Sequence, residues 1–375
     1  MDLVILALFG FIVLWDSVAA CLLVASLFFV NFLGRKKIRP RILVLIPAHN
    51  EASVIGATLA ALKDAPCQVV VVADNCTDET PEIVKDSGAR LVLHKTDLPS
   101  TKAKALWAGL MAVENLQWDY LLVLDADNLL SANFWEVIFK CLDHKPEVVQ
   151  VEVRPLNRDA SLTTKMITVT YGYLNRVVQR GRHVLGLGAN LCGTGMIFRR
   201  DIVLERVPWS SEMGLVEDIY FQIRLSSAGI KPVWVDCAWV LDEKPRGYKA
   251  GIVQGSRWLR GRVEAMRAVL AFGMKNPLVG TTMLWKLVPK PIFWTVTFAI
   301  ILNWFCHTLS WQNLLWLSLF AWFVWIFPSF AYKPYRVGPI ALLYPFWQMA
   351  TQILQLVQAL WDRGRGWRHT KHFGA

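Results

Sequence analysis

Two long apolar blocks bracket a charged, alternating middle, and that layout restricts the chain more than any other feature. Between Leu3 and Leu33 the only charged residue is Asp16. Such a run exceeds the roughly 20 residues a helix needs to cross a bilayer. It is too long for a signal-peptide core, no basic segment precedes it, and basic residues follow it. Residues 1–34 are therefore expected to form an uncleaved anchor with its N-terminus outside. Asp16 is costly in lipid, and snorkelling or a pairing with a helix neighbour accounts for it. The second block begins near Pro291, where 291–309 and 312–331 each fit one span. The segment 338–361 differs, because Gln348, Gln352, Gln355 and Gln358 share one face of a helix. It is expected to lie in the membrane interface with the glutamines toward water or headgroups. A glutamine-lined fourth span is the rival reading.

Charge supports the same layout. The net charge is +11, and the basic residues cluster beside the apolar blocks. Residues 35–41 hold five basic residues and no acid, 244–275 hold eight against one acid, and 333–375 hold six against one. Positive charge beside spans marks the cytoplasmic side and favours anionic headgroups. A spanning 338–361 would put the basic tail 362–375 outside, against that bias. Nucleic acid is not expected as a partner, because no recognition motif accompanies the charge. The seven cysteines are scattered and never in CxxC spacing, which suits a reducing compartment and argues against structural zinc. The site is thus expected at the cytoplasmic face of a multi-pass membrane protein, in a cell inner membrane.

The middle, 40–243, alternates short apolar runs with amphipathic stretches. ILVLIP (42–47), QVVVVA (68–73), RLVLH (90–94) and DYLLVLD (119–125) read as strands. Helices are expected over 52–63, from Thr80-Pro81 onward, and over 101–116. This order predicts an α/β fold, a doubly wound and mostly parallel sheet with ligands beyond the carboxyl ends of the strands. A basic, interfacial segment, 244–290, follows it.

The polar clusters sit at those ends. Asp125-Ala126-Asp127 closes the fourth strand, and paired carboxylates suit a hard divalent cation bound jointly with a diphosphate. Asp74, with Asn75, Thr77 and Asp78, closes the second strand; it can accept from a base imide or a ribose hydroxyl, and an Asx turn fits the same residues. Pro47-Ala48-His49-Asn50-Glu51 closes the first. His49 is as readily packed as functional, and no second histidine lies at zinc-ligand spacing. Lys102 and Lys104 open a helix against its dipole, which a nearby phosphate explains and plain solvation explains equally. Glu217-Asp218 precedes an apolar helix, where capping is the ordinary role and a general base the alternative. Gln254, Arg257 and Trp258 share one face of a basic helix; an arginine there can grip a diphosphate and an indole can stack on a sugar, or the helix is simply interfacial.

Taken in order, LIPAHNE, VVADNCTDET, DAD, the GTG at Gly193-Thr194-Gly195, ED and QxxRW resemble the inverting family-2 glycosyltransferases. The likeness covers roughly 40–262. It is nearest to the membrane-bound subset with cellulose-synthase-like and ceramide-glucosyltransferase-like motifs. The resemblance implies a GT-A fold, a UDP-sugar donor and Mg²⁺ or Mn²⁺. By motif position it places Asp74 at the uracil, and Asp125 and Asp127 at the nucleotide and metal. Pro47, Asn50, Glu51, Lys102 and Lys104 fall on the donor side, and Asp218 in the position of the base. Gln254 and Arg257 would hold the pyrophosphate, while Trp258, Glu217, Gly193, Thr194 and Gly195 would line the acceptor cleft. Two positions depart from the pattern: Ala73-Asp74 offers one carboxylate where a pair is common, and Val216 stands where threonine is common. The activity implied is transfer to a lipid, lipid-linked or glycan hydroxyl. A processive polysaccharide synthase is the alternative; its channel needs more wall than three or four spans provide, which chain association or an accessory membrane subunit would supply. A non-catalytic membrane scaffold is the third reading, and it leaves the full set of acids and bases unexplained.

Overall fold

The computed structural model describes residues 18, 20–35, 39–97, 100–275, 312, 316, 319, 323 and 326–361. The proposed spans 291–309 and most of 312–331, the first part of the anchor and the tail 362–375 lie outside the described residues.

The four apolar runs become strands β1 (Ile42–Ala48), β2 (Cys67–Asp74), β3 (Arg90–His94) and β4 (Tyr120–Val123), paired in parallel in the order β3-β2-β1-β4. Their near-continuous hydrophobicity has a direct cause, since both sheet faces are covered. Along β1, Ile42, Val44 and Ile46 pack on one side while Leu43 and Leu45 pack on the other. A helical segment over 20–26 (α1) precedes the sheet. Helices α2 (Ile55–Leu62), α3 (Thr80–Asp86) and α5 (Phe134–Leu142) cover the first face. The other face is covered by α4 (Lys102–Ala112) and α8 (Glu217–Ser227). Helix α2 begins three residues later than the sequence suggests. Helix α4 stops at Ala112, four residues early, where the chain turns through Val113.

The second half of the sheet corrects the expectation of a mostly parallel arrangement. Strands β5 (Leu129–Leu130), β6 (Val148–Pro155), β7 (Met196–Arg199) and β8 (Val233–Asp242) extend it to β3-β2-β1-β4-β7-β6-β8-β5. The pairings β4–β7, β7–β6 and β8–β5 are antiparallel, and only β6–β8 is parallel. The sheet is mixed because β7 enters between β4 and β6 from the opposite end. Its entry brings residues 191–195 to the tip of β4.

Three further helical elements close the open end. These are α6 (Leu162–Tyr173), which runs through a π-helical turn (Leu174–Gln179) into α7 (Arg180–Val184), then α9 (Tyr248–Lys275) and α10 (Tyr344–Trp361). A buried charge network fastens them to the sheet. Arg176, on the π-turn, pairs with Glu152 of β6 at 2.8 Å and with Asp236 of β8 at 2.6 Å. Asp236 also takes Arg180 at 2.6 Å and Asn31 at 3.0 Å, while Glu152 takes Arg154 at 2.6 Å and the Tyr335 hydroxyl. The segments before and after the sheet domain, 31 and 335, thus dock on the same cluster. Among the described residues one helix, Pro339–Trp361, is long and apolar enough to cross a membrane.

Candidate active site

The carboxyl ends of β1, β2 and β4 open into a cavity of 980 Å³, whose remaining walls are the loops at 191–193 and 214–218, the end of β8, and faces of α6, α9 and α10. Pro47, Glu51, Asp74, Lys102, Asp125, Asp127, Gly193, Glu217, Asp218, Gln254, Arg257 and Trp258 all line it. These residues lie up to 211 positions apart in the chain.

The turn after β4 is built from within. The Asp125 backbone N–H donates to Asn128 Oδ1 at 2.9 Å and to Thr194 Oγ1 at 3.2 Å, and the Thr194 hydroxyl itself donates to Asn128 Oδ1. Asn128 Nδ2 holds the Asp127 carboxylate at 3.0 Å, and Thr58 ties down the Ala126 carbonyl at 2.7 Å. The two aspartates are therefore presented by a braced loop rather than a flexible one. Thr194 and Gly195, expected in an acceptor cleft, do not line the cavity. Thr194 is buried under the turn, and Gly195 packs against Val240 and Val151. Of the triplet only Gly193 reaches the cavity, at φ +81°, a conformation that favours glycine.

Lys102 joins two acidic groups. Its ammonium is ion-paired with Asp125, donates to the Gly193 carbonyl at 3.0 Å and stands 3.8 Å from Glu217. Its charge is thus engaged by protein carboxylates, where the sequence left a phosphate and plain solvation equally open. Lys104 does not line the cavity; its backbone N–H donates to the Thr101 cap. Asn50 is likewise a brace, accepting from the Thr77 N–H at 2.8 Å with a left-handed backbone at φ +56°. Asp74 pairs with His94 Nδ1 at 2.7 Å, the two residues being register partners on β2 and β3.

Burial tunes the acids and bases. It pushes the Glu217 carboxyl up to about 7; Lys102 pulls it down, and Asp218 and Asp125 push it further up. Asp127 is held well above the ordinary carboxylate range by burial and then by Asp242, Asp125 and Glu51, with Lys244 opposing. Burial also lowers Arg257 despite Glu217 and Asp125, and lowers Arg262 despite Asp218. The oxygen-only acids around Asp127 crowd negative charge that a hard divalent cation would relieve. Among the described residues no three His, Cys, Asp or Glu gather into a closed metal cage. One or two carboxylates completed by phosphate oxygens is the way Mg²⁺ is held in phosphate sites, and Asp125 and Asp127 fit it.

Several lining residues were not singled out from the sequence. Asp242 and Lys244 close β8 as an ion pair, with the Lys244 ammonium 4.5 Å over the Tyr171 ring. The nearly continuous apolar run 233–241 carries the strand signal that would have led to them. Arg262 lies two turns of helix past Gln254 on α9 and faces Asp218 electrostatically. Of the four glutamines on one face of α10, Gln348, Gln352 and Gln355 line the cavity and Gln358 does not. Ile353 and Leu356 reach the edge of the same cavity, while the exposed apolar residues Leu354, Val357 and Leu360 lie outside it.

Comparison with known proteins yields a consistent set. Residues 40–261 match the family described as "Glycosyltransferase like family 2". A probable glycosyltransferase, YdaM of Bacillus subtilis strain 168, is 30% identical over 246 residues, covering 62% of this chain and 57% of that protein. The poly-beta-1,6-N-acetyl-D-glucosamine synthase of Staphylococcus aureus strain COL is 24% identical over 229 residues, covering 59% and 54%. The chain thus spans little more than half the length of these relatives. Among solved structures, glucosyl-3-phosphoglycerate synthase of Mycobacterium tuberculosis, in complex with Mn²⁺, UDP and glucosyl-3-phosphoglycerate, aligns with a TM-score of 0.36 at 20% identity, over 57% of this chain and 75% of that one. Residues 1–349 of S. aureus TarS align with a TM-score of 0.41 at 14% identity, over 88% and 93%.

Proposed function

The chain belongs to glycosyltransferase family 2, and from that premise we propose that it moves a sugar from a UDP-sugar onto a hydroxyl of a lipid, lipid-linked or glycan acceptor with inversion at the anomeric carbon. The single observation that carries this reading is convergence: Asp74, Asp125, Asp127, Asp218 and Arg257 share one cavity at the strand ends. The catalytic domain is read as cytoplasmic and membrane-bound. Support comes from the apolar outer side of α10 and the basic residues of α9.

In this reading Asp74, backed by His94, contacts the base of the nucleotide. Arg257 and Gln254, one turn apart on α9, grip the diphosphate, and the arginine stabilises the charge that develops as it departs. Asp125 and Asp127 would hold Mg²⁺ or Mn²⁺, which when bound supplies further electrostatic stabilisation of the leaving diphosphate. Asp218 removes the proton of the acceptor hydroxyl as its oxygen attacks, so an α-linked donor gives a β-linkage. Arg262 and Glu217 set the field around that carboxylate. The Trp258 indole offers a flat face to the acceptor sugar.

Asp218→Asn is expected to lower kcat about 10²–10⁴-fold, the usual worth of general-base help, while UDP binding in the presence of Mn²⁺ persists. Purified protein assayed with labelled UDP-glucose and UDP-N-acetylglucosamine measures this. An Asp218→Asn enzyme that transfers at the wild-type rate removes that residue from the chemistry. The polysaccharide-synthase alternative is favoured by the glutamine wall of α10 and by the likeness to a polysaccharide synthase. Product length separates the two, since a ladder of long glycans selects the synthase and a single added sugar rejects it.

A further inference from the structure

Helix α10 turns Gln348, Thr351, Gln352 and Gln355 toward the cavity and leaves Leu354, Val357 and Leu360 exposed on its other side, the reverse of a helix on the surface of a soluble domain. Its inner side meets α6 and α9 across the part of the cavity farthest along the chain from the strand ends. The first polar group there is satisfied within the protein: the Tyr344 hydroxyl donates to Gln348 Oε1 at 2.9 Å and shares a 2.8 Å hydrogen bond with Thr170 of α6. Thr351 is also engaged, donating to the Trp347 carbonyl at 2.7 Å. The next turn is different. Gln352 lines the cavity, and its Oε1 is buried without a hydrogen-bond donor. A buried carbonyl oxygen left this way is costly, and a ligand hydroxyl would remove the cost. One turn further, the Gln355 amide lies over Gly255 of α9, where any Cβ would overlap it. The glycine therefore lets a second amide into the space beside Trp258.

We propose that the space between α6, α9 and α10 is a subsite for neutral sugar residues of a glycan acceptor, with the Gln352 amide reading a sugar hydroxyl. The inference rests on the transferase reading above and names its acceptor class. Side-chain amides present donor and acceptor groups without charge, which matches sugar hydroxyls and not phosphates. No Lys, Arg, Asp or Glu of α10 takes part, because the helix carries none between Tyr344 and Trp361. Trp258 and Trp347 add flat apolar faces suited to pyranose rings. An acyl chain would leave the Gln352 oxygen as it is, whereas a glycan satisfies it.

The test uses the full chain in nanodiscs, with cellohexaose and N-acetylchitohexaose as glycan probes, dioleoylglycerol as the lipid probe, and UDP with Mn²⁺ as the donor-side control. At least one hexasaccharide is expected to bind the wild type. Gln352→Met keeps the side-chain length and loses both amide groups; it is expected to weaken that binding about tenfold, the effect of one neutral hydrogen bond, with UDP affinity kept within about twofold. If Gln352→Met does not fold, judged by loss of UDP binding, Gln352→Asn withdraws the amide by one methylene and serves in its place. A wild type that binds UDP but neither hexasaccharide overturns the subsite and leaves the transferase reading standing. So does equal hexasaccharide affinity in wild type and variant, or dioleoylglycerol binding that displaces the glycan and tightens in Gln352→Met. A wild type that binds no UDP overturns both.

Discussion

Replacing Lys102 by methionine tests how the two acidic clusters of the cavity are joined. The ammonium pairs with Asp125 and stands 3.8 Å from Glu217. At an effective dielectric near 20, a unit charge at that distance stabilises the Glu217 carboxylate by at most about 4 kcal/mol. Solvent and side-chain relaxation reduce this, yet a third of it is still about one pKa unit. Glu217 already titrates near 7 because it is buried. Without the cation its pKa is expected to rise by about one unit, leaving it mostly protonated at pH 7.5. Loss of the Asp125 contact adds the cost of a hydrogen bond to a charged group, roughly 10–100-fold in kcat/KM.

The assay is the pH profile of UDP release during transfer. Wild type is expected to show an acid limb near pH 7, and Lys102→Met a limb displaced upward by one unit or more, together with a lower plateau. Lys102→Arg, which keeps the charge, should hold the limb near its wild-type place. A variant whose plateau falls while its limb stays put would refute this reasoning. It would mean that Lys102 serves the phosphate, one of the two readings its sequence position allows, and not the Glu217 carboxylate.

Two further outcomes follow from the buried charges. Glu217 has a folded-state pKa above its unfolded value, so the native state holds the extra proton between about pH 4.5 and 7, and stability falls as pH rises through that window. Glu217→Gln removes the effect, and its melting temperature relative to wild type should rise from pH 5 to pH 8, by the equivalent of at most about 3 kcal/mol; a pH-independent difference would contradict the assignment. Arg176→Met strips Glu152 and Asp236 of a shared partner while leaving each another arginine. Urea unfolding should show a loss of about 3 kcal/mol, and a loss below about 1 kcal/mol would mean that Arg154 and Arg180 suffice.

What the sequence discloses is what local pattern carries. The runs at 42–48 and 69–73 are apolar at every turn of the pleat because helices cover both faces, so their strand character reads directly. Acids at the ends of such runs fall at the mouth of a parallel sheet by geometry, and Asp74, Asp125 and Asp127 do. The Asp74–His94 pair needs more, namely the register between β2 and β3, which no periodicity states. The antiparallel entry of β7 is hidden for the same reason, since strand order is decided by contacts far along the chain. Thr194 shows the limit of motif reading: its triplet stands in the expected place, but its hydroxyl faces down onto Asn128 to hold the turn that presents the aspartates.

Helix α10 shows most sharply why a face found by periodicity has no direction of its own. The spacing of Gln348, Gln352 and Gln355 establishes that they share a side, and in water a polar side faces out. That inference assumes water as the outer medium. With lipid outside, the ordering of costs reverses, and a polar group gains most by turning toward protein or a polar occupant. On the proposed membrane placement, the exposed Leu354, Val357 and Leu360 on the outer side and the cavity-lining amides on the inner side follow from that one change of solvent. The two placements are therefore coupled. If the outer side of α10 met water, burying its glutamines and exposing its leucines would each be unfavourable. Spin labels at 354 and 357 in nanodiscs should consequently show access to oxygen and protection from a water-soluble nickel chelate, while a label at 352 shows neither. Free access of the chelate to 354 and 357 would leave the inward amides without a physical reason.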